Sequence, residues 1–205
     1  MLPKAVPLYR RAPALFTVKA AAVPEFFQGE AAFARDAWKT AEDHYLLALQ
    51  ADSTFVLAAW RLGNVRRWLL SPHAFPPSFY PLDSIRRRAL SPVELKLVDA
   101  QFAPSEEQRF ALYDEALKLA SDDAYAALLY GDELFHRGPL VGRPLEDAVA
   151  MLRRALAAEP SLAPAWEHLA WALIRLGAVP RRRTRSTVCF ARRAARTSRG
   201  SICRP

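Results

Sequence analysis

Apolar residues recur at every third or fourth position through most of the chain, which is the spacing of amphipathic α-helices. Small residues interrupt this pattern at a fixed interval. Gly63 follows Gly29 by 34 residues, and Gly131 follows Gly63 by 68 residues. Leu97 lies at the halfway point of the longer interval, and Ala170 comes 39 residues after Gly131, as a longer loop would explain. The pattern predicts an all-α chain of repeating helix pairs, in which the small residues at this interval let the paired helices approach closely.

The second helix of several repeats carries a signature in which two alanines flank a large residue. The pattern A-x-x-x-Y-x-x-A begins at Ala41, and A-x-x-x-L-x-x-A begins at Ala148. A first helix carries W-x-x-L-A, which begins at Trp166. With the 34-residue period, these motifs resemble the tetratricopeptide repeat. The resemblance implies a right-handed helix-turn-helix repeat solenoid of about four helix pairs, forming one domain at residues 21–177.

Local signals predict one helix start and one interruption. Ser91 begins the pattern S-P-x-E, which is typical of a capping box with a proline at the first helical position. Pro76, Pro77 and Pro81 cannot lie within one regular helix, because each removes a backbone donor and clashes with the preceding turn. We therefore expect an irregular, aromatic-rich excursion at residues 71–89, or a helix shortened to about residues 83–89.

The resemblance also implies a binding surface. In tetratricopeptide arrays the first helix of each pair lines a concave groove that receives a peptide or a partner domain. Aromatic side chains flanked by fixed charges suit such a groove, because aromatic rings provide contact area at small entropic cost. A shift of one residue in helix phase would bury several of them, so a place in the core is the alternative for each. The residues expected in the groove are Phe26, Glu30, Phe33, Trp60, Asn64, Arg67, Tyr125, Asp132, Phe135, Glu167 and Trp171.

The positive charge of the chain is concentrated at one end. The net charge is +8, but residues 180–205 contain nine arginines and no acidic residue. The remaining residues are nearly neutral, so the basicity is not a property of the repeats. Three interpretations of residues 178–205 stay open: an arginine-rich arm that binds nucleic acid or anionic lipid, a disordered solvated tail, and the product of a frame change in GC-rich coding DNA. Residues 1–20 have the character of a linker.

Motifs of catalysis and cofactor binding are missing from the sequence. It has no phosphate-binding glycine loop, nucleophile elbow or zinc-protease motif. The four histidines share no metal-ligand spacing, and both cysteines lie in the basic tail. Asp132 and His136 share one helix face, which is half of a metal or acid–base site, but no neighbour in sequence supplies further ligands. We therefore predict a chain that is not an enzyme and that binds no cofactor and no metal.

These observations favour a protein–protein interaction scaffold. The sequence also resembles repeat regions of bacterial multidomain signalling proteins, so a sensor segment of a serine/threonine kinase or transcriptional regulator without its effector domain is an alternative. Nucleic-acid binding through the tail is a second alternative. No apolar run is long enough for a transmembrane helix, and we expect a cytoplasmic protein. If the tail replaces a closing helix, self-association at the uncovered C-terminal repeat is expected.

Overall fold

The computed structural model describes residue 15, residues 17–70 and residues 88–177. Every regular element in these ranges is a helix, as the sequence predicts. Most of the predicted excursion, the basic tail and most of the linker lie outside the described residues. No helix of the described ranges has both the length and the apolar character needed to cross a bilayer. The α-helices are α1 (Ala22–Phe33), α2 (Trp38–Ala51), α3 (Val56–Trp68), α4 (Pro92–Gln101), α5 (Glu106–Leu119), α6 (Ala124–Arg137), α7 (Leu145–Ala158) and α8 (Ala163–Arg175), with a 3-10 turn at Gly138–Val141.

Three pairs of consecutive helices follow the predicted repeat: α1 with α2, α4 with α5, and α6 with α7. Two glycines sit where the paired helices approach most closely. A Cβ atom on Gly29 would lie 2.6 Å from a ring carbon of Tyr45, and one on Gly131 would lie 2.7 Å from Cγ of Leu152. Only glycine fits at such contacts without displacing its neighbour, so the prediction that these residues permit close helix pairing is confirmed.

The helices α3 and α8 are first helices of a repeat, and the described ranges contain no second helix after either of them. The sequence analysis counted Ala170 among the small residues that allow close approach. The described residues do not show such an approach at Ala170, which is exposed on α8. The reason is that nothing in the described residues packs over that face.

Side-chain caps define several helix starts. Ser91 and Glu94 form a complete capping box at the start of α4, with the Glu94 backbone N–H donating to Ser91 Oγ at 3.2 Å. The Gln108 N–H donates to Ser105 Oγ, and the Ala126 N–H donates to an Asp123 carboxylate oxygen. These local signals were readable from the sequence, because a cap depends only on residues within one turn.

The array is curved so strongly that first helices from distant repeats contact one another. The rings of Phe33 on α1 and Tyr125 on α6 are 5.4 Å apart. The backbone N–H of Ala163, at the start of α8, donates to the carbonyl of Ala34 at 2.9 Å. Consequently, α3 is enclosed, and every residue from 56 to 65 is buried. Side chains fill the space between the first helices, where the sequence predicted a groove.

Candidate functional site

The structure separates the eleven predicted groove residues into two classes. Glu30 and Arg67 are partly exposed, and Glu167 and Trp171 are exposed. The others do not form an open partner-binding surface, contrary to the expectation, because α6 and α8 pack across α1 and α3. The alternative that they belong to the core applies to these seven buried residues: Phe26, Phe33, Trp60, Asn64, Tyr125, Asp132 and Phe135.

A chain of hydrogen bonds satisfies the polar groups of Trp60, Asn64 and Tyr125. The indole N–H of Trp60 donates to Gln101 Oε1 at 2.9 Å, and Gln101 Nε2 donates to Asn64 Oδ1 at 2.7 Å. Asn64 Nδ2 in turn donates to the hydroxyl of Tyr125 at 2.9 Å. These hydrogen bonds join α3, α4 and α6. The side chains therefore stabilise the packing of the first helices and do not form a ligand-binding surface.

A charged residue that the sequence analysis did not select lies at the centre of the same region. The side chain of Arg61 is fully buried, and its Nε atom is 3.0 Å from Glu30 Oε1. Its guanidinium carbon lies 3.4 Å from the centre of the Tyr125 ring, and Tyr45 donates a hydrogen bond to the same Glu30 oxygen. Burial alone would lower the pKa of Arg61, but Glu30 and the other acidic and phenolic groups around the guanidinium together outweigh burial, so the pKa is raised and the guanidinium stays charged.

An exposed apolar surface lies on α8. We call it the α8 face and define it as Trp166, Ala170 and Ile174, which are four residues apart, with Trp171 and Glu167 beside them. Trp166 is 55% exposed, Ile174 61% and Trp171 44%. Isolated exposed apolar residues are ordinary, but two tryptophans and an isoleucine on one helix face form a contiguous patch.

The repeat explains why this face is uncovered. Gly29, Gly131 and Ala170 are each the eighth residue of their helix, in α1, α6 and α8 respectively. At the first two positions the second helix of the pair packs against the small residue, through Tyr45 and Leu152. At the third position no described helix does so. The α8 face is therefore the pairing surface of a first helix that no second helix of the described residues covers.

A cluster of three potential metal ligands lies on the opposite side of α8. Asp132 and His136 from α6 meet His168 from α8, and their ligand atoms all lie within 4.8 Å of one another. Asp132 Oδ1 is 2.8 Å from His168 Nε2 and 3.4 Å from His136 Nε2. His168 and Asp132 are buried, whereas His136 is exposed. The sequence analysis found the first two residues as a pair but not the third.

Burial and charge act in opposite directions on the groups of this cluster. Burial would raise the pKa of Asp132, but the two imidazoles hold that pKa well below its usual range. Burial would lower the pKa of His168, but the carboxylate of Asp132 raises it above its usual value. Nearby, burial and Glu167 raise the pKa of Asp36. The negative charges of three acidic residues thus surround the His168 ring.

The helix pairs and the glycines between them settle the architecture. The described part of the chain has a tetratricopeptide-like fold. No protein-family model matches the chain, and no curated protein sequence matches it significantly.

Three solved structures are similar to the tetratricopeptide-like chain. YrrB, described as a TPR protein with an unusual peptide-binding site, is 18% identical over 78% of this chain and 79% of its own, with a TM-score of 0.37. The TPR domain of Arabidopsis OM64 is 17% identical over 76% of this chain and 96% of its own, with a TM-score of 0.30. MamA is 15% identical over 89% of this chain and 98% of its own, with a TM-score of 0.38. At these TM-scores the likeness carries no inference about binding.

Proposed function

We propose that the chain is a non-catalytic protein-binding module that receives an amphipathic helix of a partner protein on the α8 face. The observation that carries this proposal is the exposure of Ala170 at the position where Gly29 and Gly131 are covered by a second helix. A surface that is shaped to pair with a helix within the repeat is suited to a helix from another protein. This surface replaces the concave groove that the sequence suggested.

The helices that cover the equivalent faces define the chemistry of the partner. On α7, Ala148, Leu152 and Ala155 are buried against the neighbouring helices, and on α2 the corresponding stripe is Ala41, Tyr45 and Ala48. The partner helix would therefore present a large apolar residue between two small ones, four and three residues apart. That spacing places all three side chains on one helix face.

The tryptophans of the α8 face supply most of its contact area. The indole N–H of Trp166 donates to the carbonyl of Pro160 at 2.9 Å, which fixes the ring while leaving its faces exposed. An aromatic side chain that is oriented before binding loses little further entropy in the complex. Trp171 packs its ring near His168, with 5.1 Å between ring centres, and is also held in place.

The proposal predicts that replacing Ile174 by aspartate removes partner binding. A carboxylate within an apolar contact must be desolvated when the helix docks, so affinity should fall by about tenfold or more. The measurement is capture from native lysate with nuclease present, using the full chain and the Ile174→Asp variant as baits, followed by titration of the captured protein.

Leu140→Asp is the matched control, because Leu140 is 73% exposed and lies on the 3-10 turn outside the α8 face. We expect this variant to retain the same proteins as the unchanged chain and all three baits to have similar thermal stability. Equal retention by Ile174→Asp would refute the proposal. So would sedimentation showing that the wild-type chain occupies its own α8 face as a dimer that Ile174→Asp dissociates.

A further inference from the structure

The contacts of His168 fix which of its nitrogens can act as a ligand. His168 Nδ1 lies 3.0 Å from the carbonyl oxygen of Pro164, one turn earlier on α8. A carbonyl oxygen only accepts hydrogen bonds, so Nδ1 carries a proton and donates it. In the neutral ring, Nε2 then has a free lone pair, and this lone pair faces Asp132 Oδ1 at 2.8 Å. A backbone carbonyl that orients the far nitrogen in this way is typical of histidines that bind metals.

The carboxylate at the centre of the cluster is also free for coordination. Asp132 is 8% exposed, and its Oδ1 atom is buried without a partner in hydrogen-bond geometry. When His136 is also unprotonated at Nε2, two imidazole nitrogens and this oxygen bring electron pairs to one place. Such a convergence is unfavourable unless a positive charge lies among the three atoms. Either a proton on an imidazole or a metal ion supplies that charge.

From this geometry we propose that Asp132, His136 and His168 bind a divalent transition-metal ion of the zinc class, linking α6 to α8. Two imidazoles and one carboxylate suit zinc and similar divalent transition-metal ions, whereas calcium and magnesium prefer sites made of oxygen ligands. In a tetrahedral zinc site, neighbouring ligand atoms are about 3.3 Å apart. The two carboxylate–imidazole separations, 2.8 Å and 3.4 Å, bracket that value, and all three ligand atoms lie within 4.8 Å of one another.

The fourth position of the site opens to solvent. The His136 side chain is 55% exposed, whereas Asp132 and His168 are about nine-tenths buried. A metal ion entering beside His136 would keep one water molecule and bind the two buried ligands behind it. The inference does not depend on the proposed function, although the metal would fasten the helix that carries the α8 face.

The test is titration of the untagged full chain with zinc ions, in a background carrying Cys189→Ser and Cys203→Ser so that thiolates do not compete. We expect binding that saturates at one equivalent, and a melting temperature raised by about 5 °C when zinc is in large excess over its dissociation constant. Nickel or copper ions should quench tryptophan fluorescence, since Trp171 and Trp68 have ring centres 5.1 Å and 6.1 Å from that of His168.

Two variants and one control decide the outcome. His136→Ala removes an exposed ligand without disturbing the interior, and Asp132→Asn keeps the shape of its side chain. Each should weaken zinc binding by about tenfold or more. His44→Ala should change nothing, because His44 lies 2.8 Å from Glu25 in a two-residue pair. Absence of saturable binding, or binding that persists in both cluster variants, would overturn the assignment and leave a protonated His168–Asp132 pair.

Discussion

Replacing Arg61 by alanine is expected to lower the free energy of unfolding by about 3–5 kcal/mol. Arg61 is fully buried, and its removal takes from the carboxylate of Glu30 its ion-pair partner while the hydrogen bond from Tyr45 stays. A buried charge without its partner loses both its hydration and its ion pair. The variant also loses the contact between the guanidinium and the Tyr125 ring. Urea unfolding of both proteins measures the difference.

Lys39→Ala is the control for this prediction. Lys39 forms ion pairs of 3.1 Å and 2.8 Å with Glu42 and Asp43, but its side chain is 71% exposed. Screening by solvent makes such pairs weak, so we expect no measurable change in the free energy of unfolding. Replacing Glu30 by glutamine in the Arg61→Ala background should restore part of the lost stability, because the unpaired charge is then gone. A loss below about 1 kcal/mol in Arg61→Ala would contradict the central role of this ion pair.

The second large effect is expected at Gly131. Replacement by valine places a branched side chain against Leu152, whose Cγ and backbone nitrogen lie 2.7 Å and 3.2 Å from the position of the new Cβ. Overpacking of this kind costs about 2–3 kcal/mol, and it forces α6 and α7 apart. Helix propensity acts in the opposite direction, because valine is a better helix former than glycine. Thermal and urea unfolding should both show the net loss.

Ala170→Val is the matched variant, because Ala170 occupies the same position of α8. With no described helix packed on it, the substitution should change stability by no more than about 0.5 kcal/mol. The pair of variants thus compares a covered and an uncovered copy of one repeat position. Equal losses in Gly131→Val and Ala170→Val would mean that α8 is covered in the folded chain, which would refute the account of the α8 face.

The predictable parts of this fold depend on local signals. The cap at Ser91 uses residues within a single turn, and the pairing of α6 with α7 depends on Gly131 and on the alanines and Leu152 of the following helix. Each repeat brings the same types of residue together. The period and the helix starts can therefore be found without knowing how the repeats are arranged in space.

The curvature of the array was not predictable in the same way. Small rotations between successive repeats add up, and their sum decides whether the concave side is open or filled. The contact between Phe33 and Tyr125, which closes that side, joins residues three repeats apart. For this reason, residues that lie on the concave side of their helices, where a groove was predicted, belong to the core.

Arg61 and His168 were missed for related reasons. Arginine is rarely buried in full, and only the joint presence of Glu30 and Tyr125 makes its burial favourable. His168 joins Asp132 only because α8 lies beside α6, and no sequence spacing reveals that neighbourhood. The usable signal was the helical pair Asp132 and His136, which presents two ligand types on one face.

The two proposals concern different sides of α8 and can fail separately. Zinc binding should be lost in His136→Ala and kept in Ile174→Asp. Partner binding should be lost in Ile174→Asp, whatever the zinc titration shows. A zinc ion between α6 and α8 would also reduce fraying of the last described helix, whose exposed face has no covering neighbour in the described residues.

Photo-crosslinking from position 174 tests most directly what occupies the α8 face. A photoreactive phenylalanine analogue replaces Ile174 in the full chain, and the same analogue at exposed Leu140 serves as the reference. We expect a crosslink from position 174, absent from position 140, to a segment of another protein that has a large apolar residue between two small ones at helical spacing. A crosslink to residues 178–205, to a second copy of the chain, or equally from both positions would contradict it.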